Sequence, residues 1–208
     1  TSGNENKISV IELNCETDFV AKNEDFVGLA NRLADLALSS GVSSAEEFSA
    51  IAFEGGLTVA DKLQEQTGVI GEKIEVAELA TVQAAYVASY IHMGNKIGTL
   101  VGLTAESAEA GRDIAMQAAA MNPVALNRDA VTQDVIDREL EVGKELARQE
   151  GKPEEMLEKI AAGRLNKFFK ENTLVDQAFI KDNKMSVSKY LTSVQSGLEV
   201  VDFKRVSL

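Results

Sequence analysis

Cysteine, histidine and positive charge are all scarce in this 208-residue chain, and each scarcity narrows what it can be. A single cysteine, Cys15, leaves no internal disulfide and no cysteine-rich zinc site, a composition that fits a reducing cytosol. A single histidine, His92, forbids a metal site of two-histidine helical spacing, so carboxylates alone would have to complete any coordination shell. Lysine and arginine number 21 against 33 carboxylates, which gives a formal charge of −12 and a pI near 4.6. Phosphate backbones and anionic lipid repel so acidic a chain, so direct nucleic-acid or membrane binding is not expected. There is no run of eighteen apolar residues, hence no expected transmembrane helix. No glycine-rich loop precedes a Lys-Ser or Lys-Thr pair, so the chain is not expected to hold a nucleoside triphosphate itself, and the glycines flanking Lys96 are too sparse to change that. The opening TSGNENK has neither an initiator methionine nor a signal-peptide layout and reads as a fragment end.

What is present is ordinary globular material. Apolar residues make up 45% of the chain, and its length suffices for one large domain or two small ones. Residues 8–13, with Ile8, Val10, Ile11 and Leu13, read as a strand. Residues 23–38 repeat Phe26, Leu29, Leu33 and Leu36 at helical spacing, with Asn23 as N-cap and Ser39-Ser40-Gly41 as the stop. Shorter helices are expected from Ser44 and over 59–66, then strands over 73–82, 85–91 and 97–103. A helix over 108–121 ends at Asn122-Pro123, because the residue before proline is pushed out of helical geometry. Helices over 132–148 and from Pro153 onward, joined by a short Gly151 linker, predict an αα-hairpin. A turn at 182–184, a helix over 186–193 and a strand over 198–206 complete the chain. The strand–helix unit of 8–38 is echoed by 97–121, a faint repeat that predicts an α+β fold of two related lobes, each a small antiparallel sheet with helices.

No catalytic constellation stands out. His92 reads as packing or turn contact before metal or acid–base duty, and Cys15 as a buried structural thiol with no base beside it. The 33 carboxylates single out no pair. No cofactor and no metal is expected, and an enzyme is the poorer reading.

One stretch is far more specific. Residues 8–26, ISVIELNCETDFVAKNEDF, place a Thr-Asp-Phe-Val tetrapeptide between a strand and a helix. From the residues alone, Asp18 could cap a turn and Phe19 could be a core aromatic. The stretch closely resembles a signature of the elongation factor Ts family, the nucleotide-exchange partners of the translational GTPase elongation factor Tu. The resemblance continues through 89–98 (SYIHMGNKIG), through Asp113-Ile114-Ala115-Met116 with Asn122-Pro123, and through Gly151-Lys152-Pro153 with Glu158-Lys159-Ile160 and Gly163-Arg164.

This resemblance implies a protein whose partner is elongation factor Tu, GDP-bound and nucleotide-free. Thr17, Asp18, Phe19 and Val20 would contact that GTPase and disturb its Mg²⁺ and phosphate site, with His92, Gly94, Met116 and Gln117 as secondary contacts. It also implies a cytoplasmic location and a helical protrusion over 151–196 that serves self-association as a homodimer. The lobes would then be 1–103, and 104–150 with 197–208. Two departures accompany it. Many relatives carry histidine where this chain has Gln117, which removes any cationic contact there. The small N-terminal helical domain usual in the family, and a C-terminal helix of some relatives, are expected to be missing. The competing readings are a helical self-association module without exchange activity, and a hydrolase built on a carboxylate pair.

Overall fold

The computed structural model describes residues 1–92 and 94–208; Met93, part of the 89–98 motif, lies outside them. Among the described residues are eight α-helices and eight strands, the strands in antiparallel sheets of three, three and two, an α+β fold. Two compact units divide the chain, one formed by Thr1–Ala119 with Val201–Leu208 and the other by Ala120–Val200.

The first unit is layered. Strands β1 (Ser2–Asn4), β2 (Lys7–Asn14) and β3 (Glu75–Gln83) form one sheet in that order. Strands β4 (Tyr86–Ile91), β5 (Ile97–Leu103) and β8 (Val200–Ser207) form a second, with β5 at its centre. Side chains alternate between the faces of a strand, and β2 uses both. Ile8 and Val10 pack with Val82, Val87, Leu100 and Val206 between the sheets. Ile11 and Leu13 turn the other way, toward Leu29, Leu33, Ala37, Phe48 and Val59 of the helices α2 (Glu24–Ser40), α3 (Ala45–Ser49) and α4 (Val59–Ile70). A bulge between Glu12 and Leu13 pairs Leu13 with Val76 and leaves Ala77 extra, so Val76 joins the helix-facing side that Leu79 already occupies. On the far face of the second sheet lies α5 (Ala108–Met121), where Thr99 Oγ1 donates to the Ala115 carbonyl at 2.8 Å. A Cβ on Gly111 would stand 2.7 Å from Ala88 Cβ, so this helix approaches the sheet as closely as it does because that position has no side chain.

The second unit is built on α6 (Gln133–Gln149) and α7 (Glu154–Asn172). Gly151 at φ +73° turns the chain between them. The helices meet where Gly143 faces Ala161, whose Cα would lie 3.1 Å from an added Cβ. Ion pairs line the outside, Lys144 with Glu158 at 2.8 Å and Arg148 with Glu154 at 2.8 Å. The remainder is a short hairpin of β6 (Ala178–Phe179) and β7 (Asp182–Ser186), then α8 (Val187–Val194), where Phe179 stacks on Tyr190 at 4.0 Å between centroids.

Several expectations change. The opening residues form β1, its return turn held by Asn4 Oδ1 accepting from Asn6 N–H and Lys7 N–H at 2.9 and 3.1 Å. Residues 182–184, expected as a turn, begin strand β7. The expected boundary at 150/151 falls in the turn between α6 and α7, which pack on each other. Cys15 is half-buried, not buried, and its Sγ donates to the Thr17 carbonyl at 3.4 Å.

Candidate functional site

The tetrapeptide forms a helix of one turn, α1 (Asp18–Ala21), held between two N-caps. Thr17 is extended at φ −124°, ψ 149°, and its hydroxyl accepts from Val20 N–H at 3.4 Å. Asn23 then caps α2, its Oδ1 accepting from Asp25 N–H at 2.8 Å and Phe26 N–H at 3.3 Å. Two caps six residues apart leave too little chain for a longer helix, so the segment is a stiff turn at the end of β2. Its start is clamped from the connection between α4 and β3. The Glu72 carboxylate accepts from Glu16 N–H and Thr17 N–H, both at 3.0 Å, and from the Thr17 hydroxyl at 2.6 Å. In return, Glu16 Oε1 accepts from Lys73 N–H at 3.4 Å.

These donors, the Thr17 hydroxyl foremost, hold the Glu72 carboxyl below its ordinary value. The Cys15 thiol is pushed up instead, by desolvation and then by the Glu72 charge. As a poorer thiolate it is a poor nucleophile.

Phe26 is core at 6% exposure, whereas Phe19 is 89% exposed. An aromatic ring so fully in water contributes little to the fold of the free chain. Val20 is half-buried and Asp18 exposed. Asp18 Oδ1 lies 3.3 Å from Lys96 Nζ, which ties the turn to the β4–β5 connection. That connection carries two more of the expected residues. Gly94 stands exposed at φ +85°, and exposed His92 meets the Tyr90 hydroxyl through Nδ1 at 3.1 Å. The fold therefore brings segment 17–20 and residues 94–96 to one edge of the first unit.

The expected residues on α5 divide. Met116 is half-buried, but Gln117 is fully buried. Direct contact between Gln117 and a partner does not fit that burial. The helix face that carries it also carries Ile114, Ala118 and other buried residues, so the amide is enclosed with them. Sequence reasoning missed Glu72 altogether. Its only local signal is its place directly after Gly71, the left-handed C-cap of α4 at φ +80°, and nothing in the sequence links it to a threonine 55 positions earlier.

No group of three or more His, Cys, Asp or Glu side chains among the described residues is arranged to hold a metal ion. No described helix is long and apolar enough to cross a membrane.

Together, fold and site define an acidic α+β protein that presents an apolar ring on a clamped surface turn, the layout of a protein-docking module. The pattern of the elongation factor Ts family matches residues 16–208. The chain is 55% identical over 210 residues to elongation factor Ts of Christiangramia forsetii, spanning all of this chain and 76% of that protein. It is 54% identical over 202 residues to that of Flavobacterium psychrophilum, spanning 96% and 73%, and 43% identical over 201 residues to that of Porphyromonas gingivalis, spanning 96% and 73%. The chain belongs to the elongation factor Ts family, a family of translation elongation factors.

Proposed function

We propose that the chain is a guanine nucleotide exchange factor for elongation factor Tu, and that segment 17–20 is its working part. The observation that carries this reading is the 89% exposure of Phe19 on a turn fixed at both ends. A GTPase holds GDP through backbone N–H groups, a lysine and a Mg²⁺ ion bridging phosphate oxygens. Fast release requires a partner that binds the nucleotide-free shape better than the loaded one, and linkage makes the effect reciprocal. A rigid ring that fits only a distorted site supplies that difference. Phe19 wedges packed elements near the partner's metal, and Asp18 offers an acceptor that redirects side chains there. His92, Gly94 and Met116 form the secondary contacts. Gln117 acts from inside, through the seating of α5. No bond is made or broken in this chain, so it is a binding partner and not an enzyme, working in the cytoplasm without cofactor or nucleic-acid contact. Stimulated release of labelled GDP from elongation factor Tu tests the reading; absence of stimulation overturns it.

The faint strand–helix repeat also favours an arrangement of related lobes, 1–103 and 104–150 with 197–208, and a protrusion over 151–196. Exposed Met156 on α7, with Val142 and Leu146 exposed on α6 of the same hairpin, favours self-association through the protrusion. Light scattering on the wild type and on Met156→Lys tests it; a monomer mass for both sinks it.

A further inference from the structure

Outside the exchange segment itself, three features stand apart: a cleft, a thiol and a carboxylate. A cleft of about 420 Å³ between α3, α4 and β3 is lined by Phe48, Val59, Leu63 and Ile74, but nothing in the structure indicates what would occupy it. Cys15 is a lone cysteine with a raised pKa. Glu72 is different, because it has geometry, chemistry and a defined target.

We propose that Glu72 is the positioning residue of the exchange segment, a role that rests on the reading of segment 17–20 given above. Its carboxylate takes three donors at the start of the turn: two successive backbone N–H groups and the capping hydroxyl of Thr17. The hydroxyl donates its own proton to Glu72 and is thereby turned to accept from Val20 N–H. Without Glu72, the Thr17 hydroxyl is free to rotate, and the N–H groups of Glu16 and Thr17 go to water. The cap then weakens, and Phe19, with no packing of its own to hold it, samples many orientations. Ordering it again in the complex costs free energy that would otherwise distort the GTPase. Glu72 enters from the other strand at the same end of the sheet pairing, just before β3, where Asn14 of β2 faces Glu75 of β3. The clamp therefore fixes the turn to the sheet rather than to itself.

Charge around the clamp is mixed. Glu16 and Lys73 lie in the reciprocal latch, Lys73 Nζ also pairs with Glu75 at 2.7 Å, Cys15 senses the Glu72 charge, and Asp18 is held by Lys96 on the other side. The donors on Glu72 stabilise its charged form, so the clamp stays closed through neutral and mildly acidic pH. It opens as pH falls below the ordinary glutamate range.

The test is a double-mutant cycle on stimulated GDP release, with wild type, Glu72→Ala, Phe19→Ala and the pair. Glu72→Ala should slow release about tenfold, the scale on which loss of one charge-assisted hydrogen bond is felt, with thermal unfolding little changed. In the Phe19→Ala background the same change should have almost no further effect, since Glu72 acts through that ring. In the free chain, Glu72→Gln should abolish the acid titration of the Thr17 amide resonance while Glu16→Gln leaves it. Additive losses in the cycle, or a Glu72→Ala protein as fast as wild type beside a slow Phe19→Ala protein, overturn the positioning role alone. A Phe19→Ala protein as fast as wild type overturns the reading of the segment on which it rests.

Discussion

Truncating Phe19 to alanine separates a partner-facing ring from a core ring. In the free chain Phe19 is 89% exposed, so about a tenth of the roughly 200 Å² a phenylalanine can bury is withheld from water. At about 25 cal/mol per Å² that share is worth about 0.5 kcal/mol, and the better helix propensity of alanine offsets a few tenths of it. The midpoint of thermal unfolding should therefore move by less than about 2 °C for a chain of this size. In the complex the same ring has about 180 Å² left to bury, a gross gain of about 4–5 kcal/mol. Truncation of a central interface aromatic typically costs about 2 kcal/mol or more, which at 1.4 kcal/mol per decade slows stimulated release about 30-fold. Circular dichroism melting and stopped-flow release of fluorescent GDP from elongation factor Tu read the two quantities on the same preparations. A midpoint lowered by about 5 °C or more would place the ring in the core, and an unchanged release rate would remove it from the mechanism.

Other consequences follow from packing and capping. Gly111→Ala puts a Cβ 2.7 Å from Ala88 Cβ, a neighbour with no rotamer to move, and should cost about 1–3 kcal/mol of stability by denaturant unfolding; a neutral result would mean α5 shifts freely. Gln117→Ala opens a hole at a fully buried site and should cost about 2 kcal/mol, with slower release only to the extent that folding suffers; a release defect as large as that of Phe19→Ala in a fully stable protein contradicts this. The Asp61 carboxyl, accepting from the Thr58 hydroxyl and backbone, titrates below its ordinary value of 3.8. Its stabilising contribution to α4 is therefore present above that ordinary value and disappears as pH falls through the lower folded one. Stability between pH 5 and pH 2 should fall less steeply for Asp61→Asn than for wild type, and identical slopes would refute the assignment.

Legibility in the sequence followed the strength of local signals. Ile97–Leu103 and Ala108–Met121 are bounded by Gly94-Asn95 and by Asn122-Pro123, and both match the reading residue for residue. β1 and β7 were missed because Ser-Gly-Asn and Asp-Asn-Lys are polar, turn-like residues that become strands only by pairing with a neighbour. The bulge that turns Val76 inward has no sequence mark, since it depends on register between strands far apart in the chain. The burial of Gln117 was not legible for a related reason. An alanine-rich helix has little amphipathic contrast, and its depth is set by Gly111 meeting Ala88 on another element. At the site, the Thr-Asp-Phe-Val tetrapeptide was legible as a motif, but the exposure of Phe19 and the clamp from Glu72 are properties of the assembled fold.

As a wedge, Phe19 must discriminate between two shapes of the GTPase. Calorimetric titration of this chain into elongation factor Tu, nucleotide-free and saturated with GDP, measures that discrimination directly as a ratio of dissociation constants. By linkage, the same ratio must equal the factor by which the chain weakens GDP binding. The ratio should be large for the wild type and shrink at least about 30-fold in Phe19→Ala, mainly through weaker binding to the nucleotide-free form. A Phe19→Ala protein that binds both forms more weakly by the same factor, with the ratio intact, would contradict the wedge.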